Sequence, residues 1–291
     1  MYTHPAFNPV AVDLGFLQIH WYGLMYLLGF LLAYLLLKQF IATGRSTITL
    51  EQAEDGVFWG AMSLIIGARI GYILFYVPDT LLTDPFRVFR IYEGGMSFHG
   101  GFIGILLTAW YFCYRYKARP GELVNLIALA APTGLFFGRM GNFINQELWG
   151  RPTDVPWGMI FPNDPSGLAR HPSQLYEAVC EGLLIFAIIY WYMRKPRPEW
   201  SAGALFVLLY GLFRFTIEFF REPDAHIGYE YFGWMTRGQQ LTLPMIAIGL
   251  AIFLWATLRP NPPMAGVPGS APKLEEPKIT KGKGKKKKGK Q

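Results

Sequence analysis

Six polar side chains crowd the stretch "GRMGNFINQELWGRPT", residues 138–153: Arg139, Asn142, Asn145, Gln146, Glu147 and Arg151. The stretch follows an apolar run, "ALAAPTGLFF", of the kind that suits lipid. A helix cap needs one polar residue, not six. A guanidinium fork such as that of Arg139 fits the oxygens of a phosphate or carboxylate. Neighbouring amides could hold ester or hydroxyl oxygens. The pattern favours an anion site at a helix end, with a polar capping turn as the plainer reading.

Other polar residues stand where apolar ones are expected. Arg69 in "IIGARIGYILF" and Arg214 in "LLYGLFRFTIEFF" lie inside apolar runs, as Arg139 does at the edge of one. An ionisable group in such a run costs a few kcal/mol, about 2.5–3.5 on insertion scales, and turns to a cavity or a partner. The three arginines point to a polar cavity within a bundle. Tyr210, Arg214, Glu218 and Arg221 are spaced four, four and three apart, which puts them on one face of a helix. A structural ion ladder, Arg–Glu–Arg, would give the same spacing. His99 stands in "GGMSFHGGFIG", where the glycines let backbone approach a ligand. A lone histidine there also serves for packing or hydrogen bonding. The chain has no G-x-S-x-G, H-E-x-x-H, Walker loop or dinucleotide fingerprint. Its five histidines are scattered, which gives no metal site. Cys113 and Cys180 sit in apolar surroundings with no CxxC, so they read as inert thiols. No cofactor is expected.

The elements that position these groups are membrane helices. The 291 residues are 52% hydrophobic and 16% charged, against roughly 25% charged in soluble domains. Seven stretches approach the length of a span: Ile19–Leu37, Val57–Tyr76, Met96–Tyr114, Leu123–Phe137, Gln174–Tyr192, Ala202–Phe220 and Leu241–Leu258. The fold expected is an all-α integral membrane protein of about seven transmembrane helices. The basic segments "RYKARP" and "RKPRP" and the C-terminal lysines share one side, the cytoplasmic side by the positive-inside rule. The N-terminus then lies outside, as do residues 87–101, 138–153 and 219–226. The start "MYTHPAFNPVAVDLG" lacks the basic region of a cleaved signal peptide, so the first helix is expected to stay.

The net charge of +7 belongs to the end of the chain. Residues 1–258 hold 17 basic and 18 acidic side chains. The division expected is 1–258 as a transmembrane domain with small outer loops, and 259–291 as a disordered lysine-rich cytoplasmic tail. Such a tail reads as solvated and touching anionic lipid rather than nucleic acid.

Five blocks together resemble, in order, those of the prolipoprotein diacylglyceryl transferase family. They are "HWYGLMYLLGF", "GGMSFHGGFIG", "GRMGNFINQELWGRPT", "RHPSQLYEA" and "FRFTIEFFREPD". The resemblance runs from about residue 16 to 258, and the pattern GRxGNFxNxExxG is specific to the family. The segment 151–170 is short beside some members, which implies a reduced outer head. The resemblance implies a multi-pass enzyme of the bacterial inner membrane with its active site toward the periplasm. Such an enzyme moves the diacylglyceryl group of phosphatidylglycerol to the thiol of a lipobox cysteine in a prolipoprotein signal peptide. A thioether forms and glycerol 1-phosphate leaves. The partners implied are phosphatidylglycerol, prolipoproteins and membrane lipids, without nucleic acid.

The reaction is an alkyl transfer at an sp3 carbon, and the leaving phosphate gains negative charge. The family pattern assigns its stabilisation to Arg139 and Arg214. Asn142 and Gly150 match the lipid-binding block, with Glu147 between them. Tyr210, Glu218 and Arg221 join the substrate-binding set. His99 matches the family's general-base candidate, with Tyr22 as a second candidate in that role. The alternative is that the field of the arginines favours the thiolate and His99 positions lipid. His171 and Glu177 read as a helix entry and cavity rim, with His171 a minor functional candidate. The rival classes are a lipid carrier or anion channel without chemistry. An acyltransferase is disfavoured because no H-x-x-x-x-D occurs.

Overall fold

Local signals start several of the helices. Thr49 and Gln52 form a reciprocal capping box ahead of α2 (Leu50–Tyr76), and Thr236 and Gln239 do the same for α9 (Arg237–Leu258). Ser97 accepts from the Gly100 amide at the start of α4 (Phe98–Tyr116). Pro120 opens α5 (Pro120–Ile144), where its missing N–H costs nothing. Before these comes α1 (Trp21–Ala42). Short α3 (Thr80–Thr83) and a 3-10 turn (Pro85–Phe89) follow α2. A further helix runs as α6 (Ser173–Glu177), a π-helical segment (Ala178–Leu184) and α7 (Ile185–Tyr192). Then comes α8 (Ser201–Ile217). This computed structural model describes residues 2–15, 18–91, 94–222, 229–231 and 233–266.

Helices occupy all seven stretches expected from the sequence. Five are long and apolar enough to cross a membrane: α1, α2, α5, the composite Ser173–Tyr192 and α9. α8 is shorter, at 17 residues. α4 has the length, but glycines, tyrosines, His99 and Arg115 lower its mean hydropathy. Large apolar side chains face outward along the helices, among them Trp59, Phe75, Leu107, Trp110 and Trp255. That outward apolar surface suits hydrocarbon as solvent.

The helices pack as pairs, α1 on α5, α2 on α4 and α8 on α9, with α5 central. The α2–α4 pair meets backbone to backbone. A Cβ on Gly100 would fall 2.2 Å from the Gly67 carbonyl oxygen, so only glycine allows this approach. The apolar core, which includes Phe40, Phe112, Leu129, Ile185 and Met193, fills the end of the bundle that carries the basic loops.

That end is laced together by Glu122, which is almost fully buried. It accepts from the Ser46 hydroxyl, the Thr47 amide and hydroxyl, and Arg119. Residues just past α9 also attach here. The Glu199 amide donates to the Pro263 carbonyl and the Ala265 amide to that of Arg197, both at 2.9 Å. The first residues of the expected tail are therefore held on the bundle. The lysine-rich remainder, 267–291, lies outside the described residues.

The opposite end carries short strands: β1 (Tyr2–Thr3), β2 (Val10–Asp13), β3 (Gln18–His20), β4 (Met159–Ile160), β5 (Ala169–Arg170), β6 (Tyr229–Tyr231) and β7 (Met235–Thr236). β1 pairs parallel with β4, and β4 antiparallel with β5. β2–β3 and β6–β7 are antiparallel pairs. Of the segment 219–226, residues 223–226 lie outside the described residues, as do residues 92 and 93 of 87–101.

Candidate functional site

The site is assembled where α5, α6, the π-helical segment and α8 meet. Arg139 lies five residues before the end of α5, about 8 Å inside it at helical rise. Glu177 closes α6 and Glu181 lies in the π-helical segment. Arg214 is in the last turn of α8, and Glu218 is its C-cap. All belong to the end of the bundle away from the basic loops.

Glu177 organises the cluster. Its Oε2 faces Arg139 Nε at 3.2 Å. Its Oε1 meets Arg214 Nη1 at 3.2 Å and Arg221 Nη1 at 3.5 Å. Arg139 Nη2 also reaches Glu181 at 3.5 Å, and Arg214 Nη1 reaches Glu218 at 2.7 Å. Three arginines and three glutamates thus cancel in formal charge. Buried ions persist only when paired in this way.

The cancellation is not uniform in space. The Glu177 and Glu181 side chains are 0% exposed and Glu218 7%, whereas Arg139, Arg214 and Arg221 keep 17%, 13% and 15%. The open side of a neutral cluster is therefore cationic. Arg139 Nη1 and the Nη2 atoms of Arg214 and Arg221 have no hydrogen-bonding partner among the described residues. These donors can take oxygens of an anion without breaking an existing bond. Tyr210, one turn before Arg214, lies within electrostatic reach of Arg139 and Glu181. Tyr22, at the start of α1, packs its ring on Gly141 and reaches Arg139 and Glu147 electrostatically.

The polar turn after α5 divides into two kinds of residue. Arg139 belongs to the cluster. The others hold the chain. Asn142 Nδ2 donates to Glu147 Oε1 at 2.7 Å, and Asn145 reaches the same oxygen at 3.5 Å. The Asn163 amide donates to Gln146, and Gln174 donates to the Glu147 carbonyl at 2.7 Å. Gln146 and Leu148 both adopt positive φ, 55° and 59°, a cost that such a bonded turn can sustain. Gly150 is wedged: a Cβ there would fall 2.4 Å from the Phe220 carbonyl oxygen. Its backbone bridges that of Arg221.

Several expectations change. Arg69 does not line this cavity. It is buried and donates to the carbonyls of Arg87 (2.6 Å), Arg90 (2.8 Å), Gly95 (3.2 Å) and Gly94, pinning the loop between α2 and α4. Arg221 is not on the Arg214 helix, because α8 stops at Ile217. It turns to Glu177, so the expected Arg–Glu–Arg ladder on one helix is a cluster over three segments. His99 is exposed in the first turn of α4. Its ring meets that of Phe98 and makes no bond to the cluster among the described residues. His171 bonds the Tyr176 hydroxyl at 3.1 Å, and burial lowers its pKa. It too stays outside the cluster.

Sequence reasoning placed Glu177 at a rim and passed over Glu181. The signal was available: two acids four apart in "YEAVCEGLL" are as anomalous as the arginines. It also missed Arg170, whose guanidinium joins Asp164, Ser166, Glu222 and the Gly150 carbonyl.

Comparison with known proteins agrees with this architecture. The family model for prolipoprotein diacylglyceryl transferase matches residues 9–255. The phosphatidylglycerol–prolipoprotein diacylglyceryl transferase of Acinetobacter baylyi is 51% identical over 262 residues, 89% of this chain and 96% of the relative. The protein of the same name from Pseudomonas fluorescens is 49% identical over 264 residues, 90% of this chain and 98% of the relative. That from Teredinibacter turnerae is 48% identical over 270 residues, 89% and 94% of the two chains. With the match spanning every helix and the whole arginine–glutamate cluster, the chain belongs to the prolipoprotein diacylglyceryl transferase family.

Proposed function

We propose that this chain transfers the diacylglyceryl group of phosphatidylglycerol to the thiol of a prolipoprotein lipobox cysteine, forming a thioether and releasing glycerol 1-phosphate. The observation that carries this reading is the cationic open face of the cluster, with free guanidinium donors over sealed carboxylates. The lipid phosphate takes those donors. As the glycerol carbon–oxygen bond breaks, charge gathers on the phosphate, and fixed guanidiniums favour that state over the ground state. Glu177 and Glu181 hold the Arg139 fork so that no reorganisation is needed when the charge appears.

The thiol proton needs an acceptor. His99 serves as the base in this reading, since neither of its ring nitrogens bonds to protein among the described residues. Tyr22 and Tyr210 border the lipid, with Asn142, Glu147 and Gly150 shaping the turn beneath it. All seven helices cross the inner membrane, with the N-terminus and the cluster on the periplasmic side. The catalytic domain, with residues 260–266 held on it, precedes a lysine-rich cytoplasmic tail.

The test is to incubate membranes holding the protein with phosphatidylglycerol and a lipobox peptide, and to assay thioether product. Arg139→Ala should lose about 100- to 1000-fold in rate, the range for one such donor. Arg139→Lys keeps the charge against Glu177 and Glu181 and guards against misfolding; it should still lose activity, because the fork is gone. Product at the wild-type rate in both variants would sink the reading. Lipid binding with no thioether from the wild type would favour a carrier.

A further inference from the structure

Helices α2 and α4 touch at one end and part at the other. Near the cluster end, Gly67 meets Gly100 and Ser63 meets Gly104 backbone to backbone. Further toward the basic end, side chains hold the two apart. A Cβ on Gly60 would meet only Ile105 Cδ1 at 3.8 Å, and one on Gly56 only the Phe112 ring at 3.2 Å. The wedge that opens encloses a cavity of about 210 Å³, lined by Asp55, Trp59, Thr108, Tyr111, Arg115 and Tyr116 among others.

The chemistry of this cavity is graded along the helices. Asp55 stands in the second turn of α2, and Arg115 is the second-last residue of α4. Both lie near the ends of these apolar helices, where spans of this length would meet the headgroups. The Tyr116 hydroxyl donates to Asp55 Oδ2, and Oδ1 has no hydrogen-bonding partner among the described residues. The Arg115 guanidinium lies 5.3 Å from the Tyr116 ring centroid and makes no ion pair among the described residues. A half-used carboxylate and an unpaired cation thus flank one mouth. Deeper lie Trp59 and Tyr111, both more than half exposed, with Leu107 and Met62 beyond them. Tryptophan and tyrosine favour this depth of the membrane.

We propose that this wedge binds a zwitterionic, amine-bearing phospholipid, at a site separate from the arginine–glutamate cluster. The lipid ammonium pairs with Asp55, its phosphate with Arg115, and its glycerol and upper acyl carbons lie on Trp59 and Tyr111. A wedge walled by outward apolar side chains is filled from the bilayer. An anionic lipid without an amine leaves Asp55 facing a phosphate, with Glu51 close by, which favours the zwitterionic headgroup. The site does not depend on which leaflet faces this end.

Native mass spectrometry of the full-length protein, delipidated and then mixed with phosphatidylethanolamine or phosphatidylglycerol, tests this. Phosphatidylglycerol held at the cluster is common to all variants and cancels in the comparison. Wild type should retain one phosphatidylethanolamine. Asp55→Asn, which keeps an acceptor for Tyr116, should weaken that retention about fivefold, the scale of one partly screened ion pair. Arg115→Gln should weaken it similarly, and Thr108→Trp, which fills the wedge, should abolish it. Equal retention of phosphatidylethanolamine by wild type, Asp55→Asn and Thr108→Trp would overturn the proposal.

Discussion

Glu177 has no exposed surface, yet three guanidiniums converge on it. Removing it would leave three cations facing two carboxylates in a low-dielectric site, with Arg221 losing its ion pair, a penalty above that of a surface pair. The arginines were legible in the sequence because a charge in an apolar run is costly, and the same argument applied to Glu177 and Glu181. What hid them was register. Glu177 lies one turn past the expected helix start, where polar residues are ordinary. The π-helical backbone that carries Glu181 has no sequence signature. His99 is a different case: its motif marks it, but its ring nitrogens bond nothing among the described residues. As a base it should be needed for the rate. His99→Asn should therefore fall by about 100-fold or more, the contribution of a positioned base. The residual rate should lose the pH limb that a base imposes. An unaltered pH–rate profile in His99→Asn would remove the base role and leave thiolate formation to the arginine field.

At the scale of elements, the loop between α2 and α4 depends on Arg69. One side chain from α2 serves four carbonyls that face one another and offer no donors of their own. Arg69→Met fills the space but removes the donors that tie these part-buried carbonyls together, at about 1 kcal/mol for each bond lost. Thermal unfolding in detergent should drop by several degrees, with new proteolysis between residues 84 and 97. The sequence marked Arg69 as unusual but not what it bonds, because carbonyl partners carry no residue identity. The β1–β4–β5 sheet is a second such element. His4 is buried against Phe143 and Phe161, and burial lowers its pKa below 6.5. Its neutral form therefore supports the fold fully above pH 6.5, and that support is lost as pH falls below it. Asp164 acts in the same direction, but through its charged form. Burial opposes its charge, but Arg170 and Ser166 outweigh burial and hold it at about 2, so its contribution persists until about pH 4 and is lost toward 2. Between pH 7.5 and 5 the unfolding temperature should fall, and His4→Phe should remove much of that fall.

At the scale of the whole molecule, the bundle has two unlike ends joined by α5. One is packed with apolar side chains and closed by Glu122; the other holds the ion cluster and the short strands. The places and order of the long apolar helices were legible, since hydrophobic length marks them. That residues 260–266 attach to the bundle was not, because Pro260–Gly266 lacks any periodic pattern and is held by backbone bonds. Two truncations separate its parts. Removing 267–291 should leave the unfolding temperature unchanged, whereas removing 260–291 frees the Glu199 amide and the Arg197 carbonyl and should lower it by about 3 °C.

The equal count of arginines and glutamates has a consequence for turnover. In the proposed reaction, a cluster with no formal net charge becomes negative once phosphatidylglycerol binds, and more so when the ester bond breaks. The freed glycerol phosphate is then the excess ion, and its departure restores neutrality. In that reading the sealed carboxylates that steady the arginines on arrival would also drive the product out, so that the pocket resets itself after each cycle.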